Sequence, residues 1–180
     1  MSRSDEILKR PESSFNRSLY KAMGYSDDDL AKPIIGIANS WSTLVPGHFN
    51  LDKISDYVKR GIYRGGGTAV EFGVIGSCDG LSQGNVGGNY ILPSREVIAN
   101  SVEIMAQANQ LDGLVLLGSC DKIVPGMLMA AARIDIPALL IPAGPMLGGI
   151  EFDGRKSDVT SISEALGMLK AGEISEDGVL

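Results

Sequence analysis

Cysteine and histidine are scarce in this chain: Cys78, Cys120 and His48 are the only ones among 180 residues. Two cysteines cannot build the disulfide framework of a small secreted domain, and no CxxC or HExxH spacing offers the ligand set of a zinc site. No apolar run reaches the length of a membrane span, and the N-terminal MSRSDEILKRPESSF lacks the apolar core of a secretory signal. Positive charge is in deficit too, with 16 Lys and Arg against 22 Asp and Glu and a net charge of −6. A surface of that sign does not neutralise a phosphate backbone. Neither a membrane nor a nucleic acid is expected as a partner, and the cytoplasm is the expected compartment. Nucleotide loops are missing as well: GGG at 65–67 precedes a strand rather than a helix, GNVGG lacks the GxGxxG spacing, and no P-loop occurs.

What is present is an ordinary globular composition, 44% hydrophobic and 21% charged, sufficient for one core. Residues 1–32 carry mixed charge and read as a surface arm, with Ser26 capping a short helix at SDDD. Next come a strand at 33–39 and an amphipathic helix at 50–64, with apolar residues at 51, 54, 57, 58 and 62 and Asn50 as its cap. A glycine turn then leads into a strand within 65–76. The segment 94–111 predicts a helix capped by Ser94, its apolar face built from Val97, Ile98, Val102, Met105 and Ala106. Strand 113–118, a helix at 125–134 opened by Pro125 and strand 136–144 follow. This alternation predicts an α/β fold, a parallel sheet flanked by helices on both faces in three layers, over residues 33–150. Residues 151–180 begin a further helical segment, and the chain is expected to be an N-terminal piece of a larger protein.

Ligands gather at the carboxyl ends of such strands. The three loops there, at 40–48, 77–89 and 119–126, hold all the unusual chemistry. Cys120, Asp121 and Lys122 adjoin one strand, and Cys78 and Asp79 occupy an equivalent position after another. Taken singly, each has an ordinary explanation: a small core thiol, a helix cap, a solvated lysine, an Asp-Gly turn. Together they bring soft thiolate and hard carboxylate donors to one rim, which suggests two different metals. Thiol catalysis with His48 as base is a thinner alternative, since a lone histidine more often caps or packs. Arg95 is free to pair with an anionic ligand or with nothing.

The segments GIANSWSTLVPGH, EFGVIGSCDG, LPSREVIANSVEIMAQA and DGLVLLGSCDKIVPGMLMAAARIDIPALLIPAGPM, in that order, resemble the family of dihydroxy-acid and sugar-acid dehydratases. The resemblance covers most of the chain from Lys32 to Met146. It implies an iron–sulfur cluster, of 2Fe–2S or 4Fe–4S type, and Mg²⁺ as cofactors. By position, Cys120 takes the role of a cluster ligand, Asp121 and Asp79 of Mg²⁺ ligands, and Lys122 of a lysine whose carbamate also binds Mg²⁺. One subgroup carries a cysteine where this chain has Gly47, and Cys78 is the candidate to replace it. Asn85 and Asn89 depart from the pattern of many dihydroxy-acid dehydratases. The proton-abstracting base is expected beyond residue 180. The implied activity is a hydro-lyase converting a 2,3-dihydroxy carboxylic acid to a 2-keto acid. Its expected substrate is a branched dihydroxy acid of valine and isoleucine synthesis, alternatively a sugar acid or 6-phosphogluconate, and the complete protein is expected to be a homodimer. A metal-free binding or assembly module is the competing reading.

Overall fold

The computed structural model describes residues 2–179 apart from Met146, Ile150 and Asp153. The chain forms two compact units, Met1–Gly144 and Pro145–Leu180. The first holds a four-stranded parallel sheet in the order β2-β1-β3-β4, with β1 at Ile34–Asn39, β2 at Thr68–Gly73, β3 at Gly113–Gly118 and β4 at Ala138–Pro142. Helix α4 (Leu51–Arg64) joins β1 to β2, α6 (Gly88–Ala108) carries the chain back past β1 to β3, and α7 (Ile123–Ile134) joins β3 to β4. Parallel crossovers are right-handed, so the reversal of direction after β2 sends α6 and α7 to the face opposite α4. That is the expected three-layer arrangement.

Alternation along the strands explains how both faces are filled. Ile34, Ala38, Leu114 and Leu116 pack with Ile98, Val102 and Ala106 of α6 and Met127, Ala130 and Ile134 of α7. Ile37, Ala69, Val115 and Leu117 turn the other way, toward Leu51, Ile54, Val58 and Ile62 of α4. Each of the fully buried Ile, Leu, Val and Met side chains among them contributes about 1.5–3 kcal/mol relative to exposure. Close approach between α6 and α7 requires Gly126, where a Cβ would lie 2.8 Å from Arg95 O and 2.9 Å from Ile98 Cγ2.

The N-terminal residues pack on the same unit. Short helices α1 (Asp5–Leu8), α2 (Ser14–Ala22) and α3 (Asp27–Leu30) precede β1, and Leu8 and Leu30 are buried in the α6/α7 core. The Asp112 carboxylate accepts from Ser4 N–H (3.0 Å), Ser4 O–H (2.6 Å) and Ile34 N–H (2.7 Å), tying this segment to the starts of β1 and β3. Ser26 caps α3 through a reciprocal capping box with Asp29.

Four local readings need correction. Helix α6 begins at Gly88, six residues before Ser94, and runs through Pro93; Ser94 lies inside it, buried, and donates to Ile91 O (2.6 Å) rather than capping. Burial of Ile91 against the unit outweighs the poor helix propensity of Gly, Asn and Pro. Val97 and Met105 are 51% and 37% exposed and not core. Asn50 precedes α4 without a side-chain cap bond, and its Oδ1 is buried without a partner. Tyr57 is 71% exposed and lies beneath the Arg60 guanidinium, 5.4 Å from its ring centroid, instead of facing the sheet.

In the second unit, β5 (Glu151–Phe152) pairs antiparallel with β6 (Arg155–Lys156), and α8 (Val159–Ala171) follows. Asp158 caps α8 by accepting from Thr160 N–H and Ser161 N–H, and Gly172 closes it in the left-handed region at φ 77°. Among the described residues no helix is long and apolar enough to cross a membrane.

Candidate metal centre

The strand order reverses at β1 and β3, which run parallel, with β2 added on one side and β4 on the other, and their carboxyl ends flank the crevice where open α/β sheets receive ligands. The loop after β1 enters this crevice through a tight turn at Pro46–His48. His48 is fully buried there. Its Nδ1–H donates to Ser40 O (2.7 Å), and its Nε2 accepts from Ser119 N–H (2.9 Å). Ser119 O also lies 3.4 Å from Nε2, but the amide contact is shorter and its hydrogen is fixed, so Nε2 is the acceptor. Burial pushes the imidazole below its usual pKa, consistent with a neutral ring protonated on Nδ1. Gly47 is equally confined: a Cβ there would sit 2.7 Å from Ser119 Oγ and 2.8 Å from Gly144 Cα, while Gly47 O accepts from Gly144 N–H (3.1 Å).

Past Ser119 the backbone turns left-handed at Cys120 (φ 74°), which costs a non-glycine residue about 1–3 kcal/mol. The thiol meets the loop that follows β2, with Cys120 Sγ–H donating to Asp79 Oδ1 at 3.7 Å. Asp79 opens the single-turn helix α5 (Asp79–Ser82), with the half-buried Cys78 immediately before it. Lys122 Nζ reaches Asp79 Oδ2 at 3.1 Å and forms an ion pair with Asp121 as well. Asp79, Cys120, Asp121 and Lys122, separated by some forty positions in sequence, therefore form one corner. Cys78 stands at its edge as an unpaired thiol.

The electrostatics of the corner are those of a cation among acids. The carboxylates of Asp121 and Asp79 hold the Lys122 ammonium above the usual lysine range, and the ammonium holds the Asp121 carboxyl below its own. Burial pushes the Cys120 thiol up, against hydrogen bonds that favour the thiolate. Among the described residues no three His, Cys, Asp or Glu side chains form a ready metal cage. The donor chemistry nonetheless fits the two expected groups: paired carboxylates suit a hard divalent cation, and a thiolate suits iron. Carbamylation of Lys122 would exchange the ammonium for a third oxygen donor.

Beside the corner lies an open pocket of about 460 Å³ lined by Asp79, Ser82, Gln83, Asn85, Ile91 and Lys122, among others. Its hydroxyl and amide groups come from the glycine-rich loop, and its apolar wall from the first turns of α6. Ile91 was not legible as a wall residue because the helix was expected to start later. His48 was legible as a capping or packing residue, with a base for thiol catalysis as the thinner alternative; its sequence neighbours Gly47 and Phe49 reveal nothing of its partners Ser40 and Ser119, which tertiary structure brings to it. Asn89 does not line this pocket. Arg95 does not line it either, with Glu96 Oε1 3.4 Å from its Nη2 and a buried Nε lacking a partner.

Comparison with known proteins places these features in context. Residues 32–180 match the family model described as dihydroxy-acid/6-phosphogluconate dehydratase N-terminal. A dihydroxy-acid dehydratase of Caldanaerobacter subterraneus subsp. tengcongensis is 55% identical over 175 residues, 97% of this chain and 31% of the relative. One from Pyrococcus furiosus is 52% identical over 173 residues, 96% of this chain and 31% of the relative. One from Clostridium pasteurianum is 51% identical over 175 residues, covering 97% of this chain and 61% of that sequence. The chain thus spans about a third of the length of the first two relatives.

Proposed function

Because the chain belongs to the dihydroxy-acid/6-phosphogluconate dehydratase family, we propose that the complete protein removes water from a branched 2,3-dihydroxy carboxylic acid to give a 2-keto acid. The observation that carries this reading is the meeting of Asp79, Cys120 and Lys122 at one rim of the sheet, beside an open pocket. Overall, the proton on C2 and the hydroxyl on C3 leave, and the resulting enol tautomerises to the keto acid.

Cys120 would hold an iron–sulfur cluster, with Cys78 as a candidate second thiolate, and Asp79, Asp121 and carbamylated Lys122 would hold Mg²⁺. When bound, these groups supply Lewis acidity toward the departing hydroxyl and the substrate oxygens. The chain's own residues prepare that chemistry. Burial favours the protonated Cys120 thiol, which would release its proton on binding iron. Asp79 is shared between the thiol and the lysine, so it can orient both donor types toward one small molecule. Ser82, Gln83 and Asn85 offer hydrogen bonds to hydroxyl and carboxylate groups, and Ile91 offers an apolar wall for an aliphatic tail. The base that takes the C2 proton lies outside these residues. Free thiols suited to cluster binding fit a reducing compartment, the cytoplasm.

The test is an anaerobic keto-acid assay of the complete protein on dihydroxyisovalerate, gluconate and 6-phosphogluconate. Turnover of dihydroxyisovalerate is the expected result. Preference for either sugar acid would move the substrate to the other branch of the family, and a colourless, metal-free protein inactive on all three would favour a binding module.

A further inference from the structure

His48 is the fully buried imidazole of the unit, and neither the metal corner nor the substrate pocket uses it directly. It nevertheless touches the loops that follow three different strands. Nδ1–H donates to Ser40 O, directly after β1. Nε2 accepts from Ser119 N–H, directly after β3 and one residue before Cys120. On the loop after β2, Gly76 lies so near that a Cβ would come within 3.4 Å of the imidazole Cε1 and Nδ1.

We infer that His48 is a positioning residue for Cys120: by accepting the Ser119 amide at Nε2, it fixes the left-handed turn that aims the thiol at Asp79. The inference deepens the proposed dehydratase reading and rests on it for its functional meaning, though its geometry does not depend on metal. A backbone amide at the end of β3 has no strand partner to hold it, and a turn at positive φ is costly for cysteine. A buried acceptor at this point stabilises the one backbone orientation in which Cys120 Sγ reaches Asp79. Serine or water would serve less well, because the imidazole also anchors itself to Ser40 through its opposite nitrogen.

Two substitutions separate the two bonds. His48→Gln extends an amide oxygen toward the Nε2 position and keeps an acceptor for Ser119 N–H. His48→Asn reproduces the Nδ1 donor to Ser40 O and abandons Ser119. In the metal-free complete protein, iodoacetamide labelling followed by mass spectrometry reads the alkylation rate of Cys120, with free N-acetylcysteine in the same mixture as the reference. The expected result is a rise of about fivefold at Cys120 in His48→Asn, the population change that losing one net hydrogen bond allows, and little change in His48→Gln. Equal behaviour of the two variants at Cys120 would overturn the inference. If neither variant folds, ¹⁵N spectra of the unmodified protein's single histidine decide: a proton on Nδ1 with bare Nε2 supports the inference, and a proton on Nε2 overturns it. Failure of the dehydratase reading would be seen separately, as absence of a cluster in the unmodified protein, with the alkylation contrast unaffected.

Discussion

Replacing Gly47 with alanine adds one methyl where three strand-end loops converge. The added Cβ would meet Ser119 Oγ at 2.7 Å, which a hydroxyl rotation relieves, and Gly144 Cα at 2.8 Å, which only backbone movement relieves. Gly47 does not adopt a positive φ, so backbone strain contributes nothing and the effect is steric. Overpacking of this kind costs about 1–3 kcal/mol. Moving the loops apart also weakens the bond from Gly144 N–H to Gly47 O (3.1 Å), worth about 1 kcal/mol. For a protein of this size each kcal/mol lowers Tm by about 2–4 °C, so a fall of roughly 4–16 °C is expected in a thermal melt. Gly61→Ala is the control: nothing lies within 4 Å of its Cβ position in the last turn of α4, and alanine there should raise stability by up to about 1 kcal/mol. A Gly47→Ala protein that melts with the parent while Gly61→Ala melts higher would refute the close packing described for the site loops.

Asp112→Ala removes the acceptor shared by Ser4 and Ile34, and a cost of about 2–4 kcal/mol is expected as a lower denaturant midpoint at unchanged m. Glu71 is raised by burial, but bonds from Lys59, Asn39 and Ser55 outweigh that and hold its carboxyl below 4.5. Its contribution is therefore fully present above pH 4.5 and lost as pH falls through the depressed folded value; Glu71→Gln should flatten acid denaturation curves in that range. Lys122→Met in the complete protein should reduce Mg²⁺ retention and dehydration to background while iron content stays near that of the parent, as read by elemental analysis and the keto-acid assay. Retained Mg²⁺ and activity would remove the carbamate from the account.

Legibility from sequence followed the reach of the interactions involved. Strands β1 and β3 stood out because burial on both faces makes them unbroken apolar runs. The capping box at Ser26 was readable because its partner is three residues away. The start of α6 was not: Gly88, Asn89 and Pro93 disfavour helix locally, and only packing of Ile91 reveals why they are helical. Asn50 has the chemistry of a cap without the backbone geometry to use it. In the candidate site, residue types in equivalent loops pointed to Asp79, Cys120 and Asp121, and Lys122 was singled out only by the family resemblance, whereas the clamp formed by His48 depends on Ser119, 71 residues away.

The most direct test of the central claim, that separate strand-end loops assemble one corner for soft and hard metal ions, is iron-edge anomalous diffraction from crystals of the anaerobically purified complete protein. An iron peak bonded to Cys120 and a separate light cation held by Asp79, Asp121 and modified Lys122 are expected. Iron bound elsewhere, with Cys120 a free thiol and Lys122 still paired as an ammonium with Asp79, would contradict it.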